Sequence, residues 1–166
     1  MDADKYAKLG DVLKVGAVVW GYRYRSLFDF RGDMLSGTLP MPRGEGRSTA
    51  IRILELLSVF KFTVVELPIS DEGPDLSFDV TDRRGRTQRL SERIGDAFSH
   101  SEDWRSFDFI LTGPEGLAAP YSLFLSREEA TDSLKSGLCG VAEDIDLLIS
   151  TMSDRRDAIR DAIEAF

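Results

Sequence analysis

Leu76-Ser77-Phe78-Asp79-Val80-Thr81-Asp82-Arg83-Arg84-Gly85-Arg86-Thr87-Gln88-Arg89-Leu90 is the stretch on which the reading of the fold turns. Leu76, Phe78 and Val80 alternate with Ser77, Asp79 and Thr81, the period of two expected of a strand with one buried face. Asp82 to Arg86 reads as a tight turn in which Gly85 supplies a positive φ, and Thr87–Leu90 returns alongside. Strands joined so closely run antiparallel.

Outward from this hairpin, Phe62–Leu67 reads as a strand ended by Pro68, and Phe107–Thr112 as another. Gly113 to Gly116 turns the chain into a last strand at Tyr121–Leu125. Val15–Phe30 is rich in β-branched and aromatic residues. Its Trp20, Tyr22 and Tyr24 fall on one side, expected to face the core, with Arg23 and Arg25 on the other and a bend at Gly21. Gly32–Arg47 reads as a long loop with room for a short strand at 34–39.

Helices are expected at Asp4–Lys14, from Ser48 to about Phe60, and from Ser91 with Ile94, Ala97 and Phe98 inward. Ser126-Arg127-Glu128-Glu129 is a capping box that opens a helical C-terminal region. The expectation is therefore an α+β fold: a largely antiparallel sheet of about five strands with packed helices and a long C-terminal amphipathic helical segment. Residues 1–166 form a single domain, with 126–166 as its helical end.

Composition bounds the function. With 42% hydrophobic and 30% charged residues in 166, the chain is globular in character. No apolar run reaches the ~18 residues of a membrane span. The opening Met1–Tyr6 carries neither the basic head nor the apolar stretch of a signal peptide. One cysteine, Cys139, and one histidine, His100, exclude an internal disulfide and the usual four-ligand zinc site. A cytoplasmic protein without a cofactor is expected. Residues 1–93 hold 15 basic against 14 acidic side chains, and residues 94–166 hold 6 against 15, so the C-terminal half is acidic.

The strongest pattern lies in that half. Ile145, Ile149, Met152, Arg156, Ile159, Ile163 and Phe166 step alternately by four and three, a heptad seam interrupted by Arg156 alone. Ala130, Leu134, Leu138 and Val141 continue nearly the same stripe upstream, with a helix break expected at Gly137 and Gly140. The seam has two readings, packing on this chain's own sheet or pairing with another chain. A charge in mid-seam requires an acidic neighbour or water.

Four weaker constellations compete. Arg43, Arg47 and Ser48 sit in a glycine-rich loop at an expected helix N-terminus, where free N–H groups and the helix dipole favour an anion. Arg83, Arg84, Arg86, Arg89 and Arg93 form a basic cluster that, with the Tyr22-Arg23-Tyr24-Arg25 strand, suggests single-stranded nucleic acid. Asp71, Glu72, Asp75, Asp79 and Asp82 are dense enough to evoke a divalent-metal site, and Asp75 with Asp79 a metal-dependent hydrolase. Cys139 and His100 are the chemistry of a nucleophile and its base, with nothing in the sequence to bring them together.

The seam carries most weight. The expectation is a protein-binding or accessory module, of the kind that neutralises, escorts or completes a partner, acting through an apolar helix face and complementary charge. Its partner is another protein or a second copy. Nucleic-acid or phosphate binding through Arg43, Arg47 and the arginine cluster is the competing reading, and the hydrolase follows behind.

Overall fold

In a computed structural model, residues 3–23, 32, 35–36, 58–67, 75–82, 84–92 and 98–165 are described. The strands are β1 (Val18–Arg23), β2 (Phe60–Glu66), β3 (Leu76–Thr81), β4 (Thr87–Glu92), β5 (Ser99–His100), β6 (Ser106–Thr112) and β7 (Ala118–Phe124). They are flanked by helix α1 (Ala3–Val12) and helix α2 (Arg127–Glu164).

The hairpin forms as its sequence dictates. Phe78 lies opposite Leu90 and Thr81 opposite Thr87, and Gly85 takes a φ of 74°. Asp82 fastens the turn, its carboxylate accepting from the backbone N–H groups of Arg84 (2.8 Å) and Arg86 (2.9 Å). These bonds, that of Arg86 foremost, hold the Asp82 carboxyl below the usual range.

The architecture differs from a sheet with helices packed on it. The order β4-β3-β2-β1-β7-β6 runs antiparallel throughout, and Ser91 of β4 pairs with Thr112 of β6, closing six strands into a barrel. Among the described residues, β5 pairs with β6 alone and lies outside the closed ring. The protein is largely β, and the expected α+β sheet of about five strands is corrected accordingly.

Closure reassigns several segments. Ser91 and Glu92, expected to open a helix, end β4. Ser and Glu three residues ahead of an apolar position resemble a helix start, yet their backbone is committed to Ser77 and Leu76 across the sheet. Ser99 and His100 pair with Asp108 and Phe107 as β5. Leu35 and Ser36, within the segment left for a short strand, are helical. The helix expected from Ser48 lies almost wholly outside the described residues, and Phe60 itself begins β2.

The barrel interior is aromatic. Phe62, Phe78, Phe107, Phe109 and Leu123 are buried there, with Phe62 edge-on to Phe78 (6.0 Å between centroids) and to Tyr121 (5.7 Å). Rings in edge-to-face contact add roughly 0.5–1.5 kcal/mol per pair to their area burial. Leu9 of α1 and Leu13 just after it join the same cluster, while Lys5 donates to the Phe98 carbonyl and lies over its ring.

β1 sits between β2 and β7, with Val19 in the interior cluster and Tyr22 in a second cluster against α2. Trp20 and Tyr22, expected to face the core, therefore belong to the outer wall. Tyr24 lies outside the described residues. At Gly21 β1 lies too close to β7 for a side chain, since a Cβ there would overlap the Ser122 carbonyl and the Leu123 side chain. This close spacing explains the glycine. Among the described residues, no helix is long and apolar enough to cross a membrane.

Gly21→Ala is expected to destabilise the fold by about 1–3 kcal/mol through overpacking between two barrel strands. Urea unfolding measures this, and a change within ±0.5 kcal/mol would show that β1 and β7 separate freely.

Candidate functional site

α2 begins at the expected capping box. The Ser126 side chain accepts from the Glu129 backbone N–H (3.2 Å), and the Ser126 N–H donates to the Glu129 carboxylate (3.2 Å). Arg105, on the loop between β5 and β6, adds an ion pair to Glu129 at 2.6 Å. Hydrogen bonding from Arg105 and then from Ser126 holds the Glu129 carboxyl below its ordinary value, against the opposing effect of burial. The helix start is thus tied to the barrel at two points.

Its first five turns pack on the outer wall. Ala130, Leu134 and Val141 are buried, and Leu134 and Val141 share a cluster with Tyr22, joined by Phe124, Leu138 and Ile145. The Tyr22 hydroxyl shares a hydrogen bond with Ser133 Oγ (2.8 Å), its ring stacks on Phe124, and Arg127 lies 5.4 Å above Trp20. Gly137 and Gly140 do not break the helix, which runs 38 residues without interruption. Two glycines cost roughly 2 kcal/mol of helix propensity, which packing of the stripe on the barrel outweighs.

Beyond Ile145 no residue of α2 is buried among the described residues. Length makes this unavoidable: strands of at most seven residues span about 23 Å, while 38 helical residues span about 57 Å. The seam consequently stands open, with Ile149 59%, Met152 55%, Ile159 62% and Ile163 66% exposed. Leu148, at 40% exposed, widens the apolar strip, and Leu147 is exposed beside it. Neither belongs to the heptad positions, which is why the sequence pattern passes over them.

Arg156 finds its acidic neighbour within its own helix, donating from Nε to Asp157 at 2.9 Å. Its charge is answered on the exposed flank, so it leaves an alkyl stem along the seam. Ile145 is half-buried against the barrel, and Phe166 lies outside the described residues.

The other constellations come together less well. Arg43, Arg47, Ser48, Arg83, Arg93, Asp71 and Glu72 lie outside the described residues. Arg86 pairs with Asp82 at 2.7 Å, and Arg89 holds Asp79 through two bonds of 2.9 and 3.2 Å. The bonds to Asp79 raise the Arg89 pKa above its ordinary value. Arg84 is exposed on the turn between them. Among the described residues of the basic cluster, Arg86 and Arg89 are thus each paired with an acid, as is Asp79 of the expected metal site with a base. Asp75 is exposed, and the described residues hold no group of three or more metal-ligating side chains.

His100 stacks on Trp104 at 3.8 Å, and its Nδ1 lies 2.8 Å from the Ser101 carbonyl. Cys139 is exposed on α2. A cavity of about 330 Å³ at one barrel mouth is walled by Phe60, Val80 and Tyr121 and by the closed pair Asp82–Arg86. Burial raises the Tyr121 pKa there, with Arg23 opposing. Comparison with family models, curated proteins and solved structures returns no match.

Glu129 provides a pH test of how α2 is anchored. Its folded pKa is depressed, so its contribution is complete above the unfolded value and is lost as pH falls through the folded one. The pair is partly exposed, which keeps that contribution to about 1 kcal/mol or less. Glu129→Gln preserves the capping geometry and removes the charge. Its stability deficit, measured by urea unfolding, is expected to stay constant from about pH 8 to pH 5 and to shrink below about pH 4. A deficit that grows on acidification would contradict the ion pair.

Proposed function

We propose that this protein is a cytoplasmic protein-binding module in which the barrel holds one end of α2 and presents the rest as a docking surface. The observation that carries the reading is the open apolar seam, four large side chains each more than half exposed on one rigid helix. Contiguous apolar surface of this kind is uncommon on a protein that works alone. Burying the remaining area of Ile149, Met152, Ile159 and Ile163 contributes on the order of 1–2 kcal/mol each. The sum is comparable with the roughly 8 kcal/mol of micromolar association, before ordering costs. Those costs are modest because the helix is already formed.

The acidic flank of α2, with ten acidic against five basic side chains over 127–164, favours a partner whose rim is basic or mixed. A single cysteine supports a reducing compartment. The nucleic-acid reading gains no comparable support, because Tyr22 is buried under α2 and Arg86 and Arg89 are paired.

Ile159→Asp and Ile163→Asp are expected to reduce the native mass of the protein isolated from its source cell to that of a lone chain. Both side chains are exposed, so unfolding free energies should move by no more than about 0.5 kcal/mol. Native mass measurement and thermal unfolding check the two halves of this expectation. A complex of unchanged mass in both variants would remove the seam as a docking surface.

A further inference from the structure

We propose that the seam's occupant is a second copy of this chain, its α2 laid antiparallel across the first and centred on Asp154. The inference rests on reading the seam as a docking surface and goes on to specify what docks there. In heptad terms Ile149, Arg156 and Ile163 take the a positions, and Ile145, Met152 and Ile159 the d positions. Antiparallel helices stack a residues of one copy against d residues of the other. Centred on Asp154, Ile145 meets Ile163 of the second copy, Ile149 meets Ile159, and Met152 meets Arg156. The twofold axis repeats all three layers, so every seam position from Ile145 to Ile163 has an opposite.

Charge selects this arrangement. Asp146 and Arg160 occupy e positions, which face each other across an antiparallel pair centred here, giving two opposite-charge contacts. Both are exposed on α2, and neither holds an ion pair within the described residues. A parallel pair would instead set Arg155 against Arg160 twice and stack Arg156 on Arg156. The antiparallel pair brings only Arg155 against Arg155 near the axis, one exposed like-charge contact. Arg156, its charge held by Asp157, lays its stem against Met152, an adaptable side chain.

Size is sufficient. Twelve seam side chains losing on the order of 80 Å² each reach the ~1,000 Å² at which a specific interface becomes stable. About 19 residues of free coiled coil would be marginal, but each helix is already nucleated where it lies on its barrel.

Cys139, the exposed lone thiol, reports the orientation. In the full chain carrying a nitroxide there, sedimentation is expected to give twice 18.5 kDa at micromolar concentration. Pulsed electron resonance should give a separation of about 45 Å, thirty residues of helical rise, against less than about 20 Å for a parallel pair. Asp146→Arg should weaken the dimer at least tenfold, and adding Arg160→Asp should restore it. A chain that is monomeric at about 100 μM, a short separation, or no rescue by the double change overturns the inference. If the purified chain is monomeric while Ile159→Asp still dissolves the native complex, the docking reading stands and only the second copy is excluded. A dimer indifferent to Ile159→Asp removes both.

Discussion

Ser91 of β4 pairing with Thr112 of β6 joins the two ends of a meander, and the remaining architecture follows from that closure. A closed ring of six strands has an inside and an outside rather than two broad faces. The inside is filled by phenylalanines from β2, β3 and β6, together with Leu9 of α1 and Leu13 just beyond it. The outside is mostly solvated, as the exposed Lys61, Arg89, Asp108 and Ile110 attest. Its apolar exception is the patch of Trp20, Tyr22 and Phe124 on β1 and β7, and α2 lies there. A helix longer than twice the height of the wall it rests on must overhang it. The open seam is thus a consequence of barrel size as much as of helix sequence.

How far this was legible in the sequence depended on how local each signal was. The β3–β4 hairpin, the positive φ of Gly85 and the capping box at Ser126 are set by residues within a few positions of one another, and their chemistry reads directly. Closure rests on one residue pair 21 positions apart, Ser91 and Thr112, and neither side chain advertises it. The alternation in β3 fits an open sheet and a barrel equally well, because both bury one face. Ser91 and Glu92 look like a helix start for local reasons and are overridden by a ladder with β3. Trp20 and Tyr22 are apolar enough for any core, and only the presence of two apolar layers, one inside β1 and one outside, decides which they join.

The candidate site divides in the same way. The heptad spacing from Ile145 to Ile163 is a property of the chain, visible without coordinates. Whether the seam is covered is a property of the whole molecule, because a packed stripe and an open one have the same period. Two arginines of the basic cluster are answered by acids for a related reason: Asp79 stands directly opposite Arg89, and Asp82 closes back on Arg86. Counting charges along the chain reveals the excess but not these pairings. Arg156 was the more informative residue, since its contact with Asp157 removes the electrostatic objection to a seam with a cation inside it.

One helix therefore does two jobs, divided at Ile145. Upstream, Ala130, Leu134 and Val141 of the stripe are buried, with Leu138 half-buried beside them, and Arg105 with Ser126 fixes the helix start. Downstream, the same stripe continues with no change of period and no wall beneath it. Because the helix is continuous, ordering the upstream part against Tyr22 and Phe124 also orders the downstream part, whose cost of nucleation is met within the fold. A docking surface of the proposed kind would lose little entropy on association, so its affinity would depend mainly on side-chain burial and on the pairing of flanking charges. On the proposed reading, specificity would shift toward positions such as Asp146 and Arg160, which are exposed on α2 and free of ion pairs among the described residues.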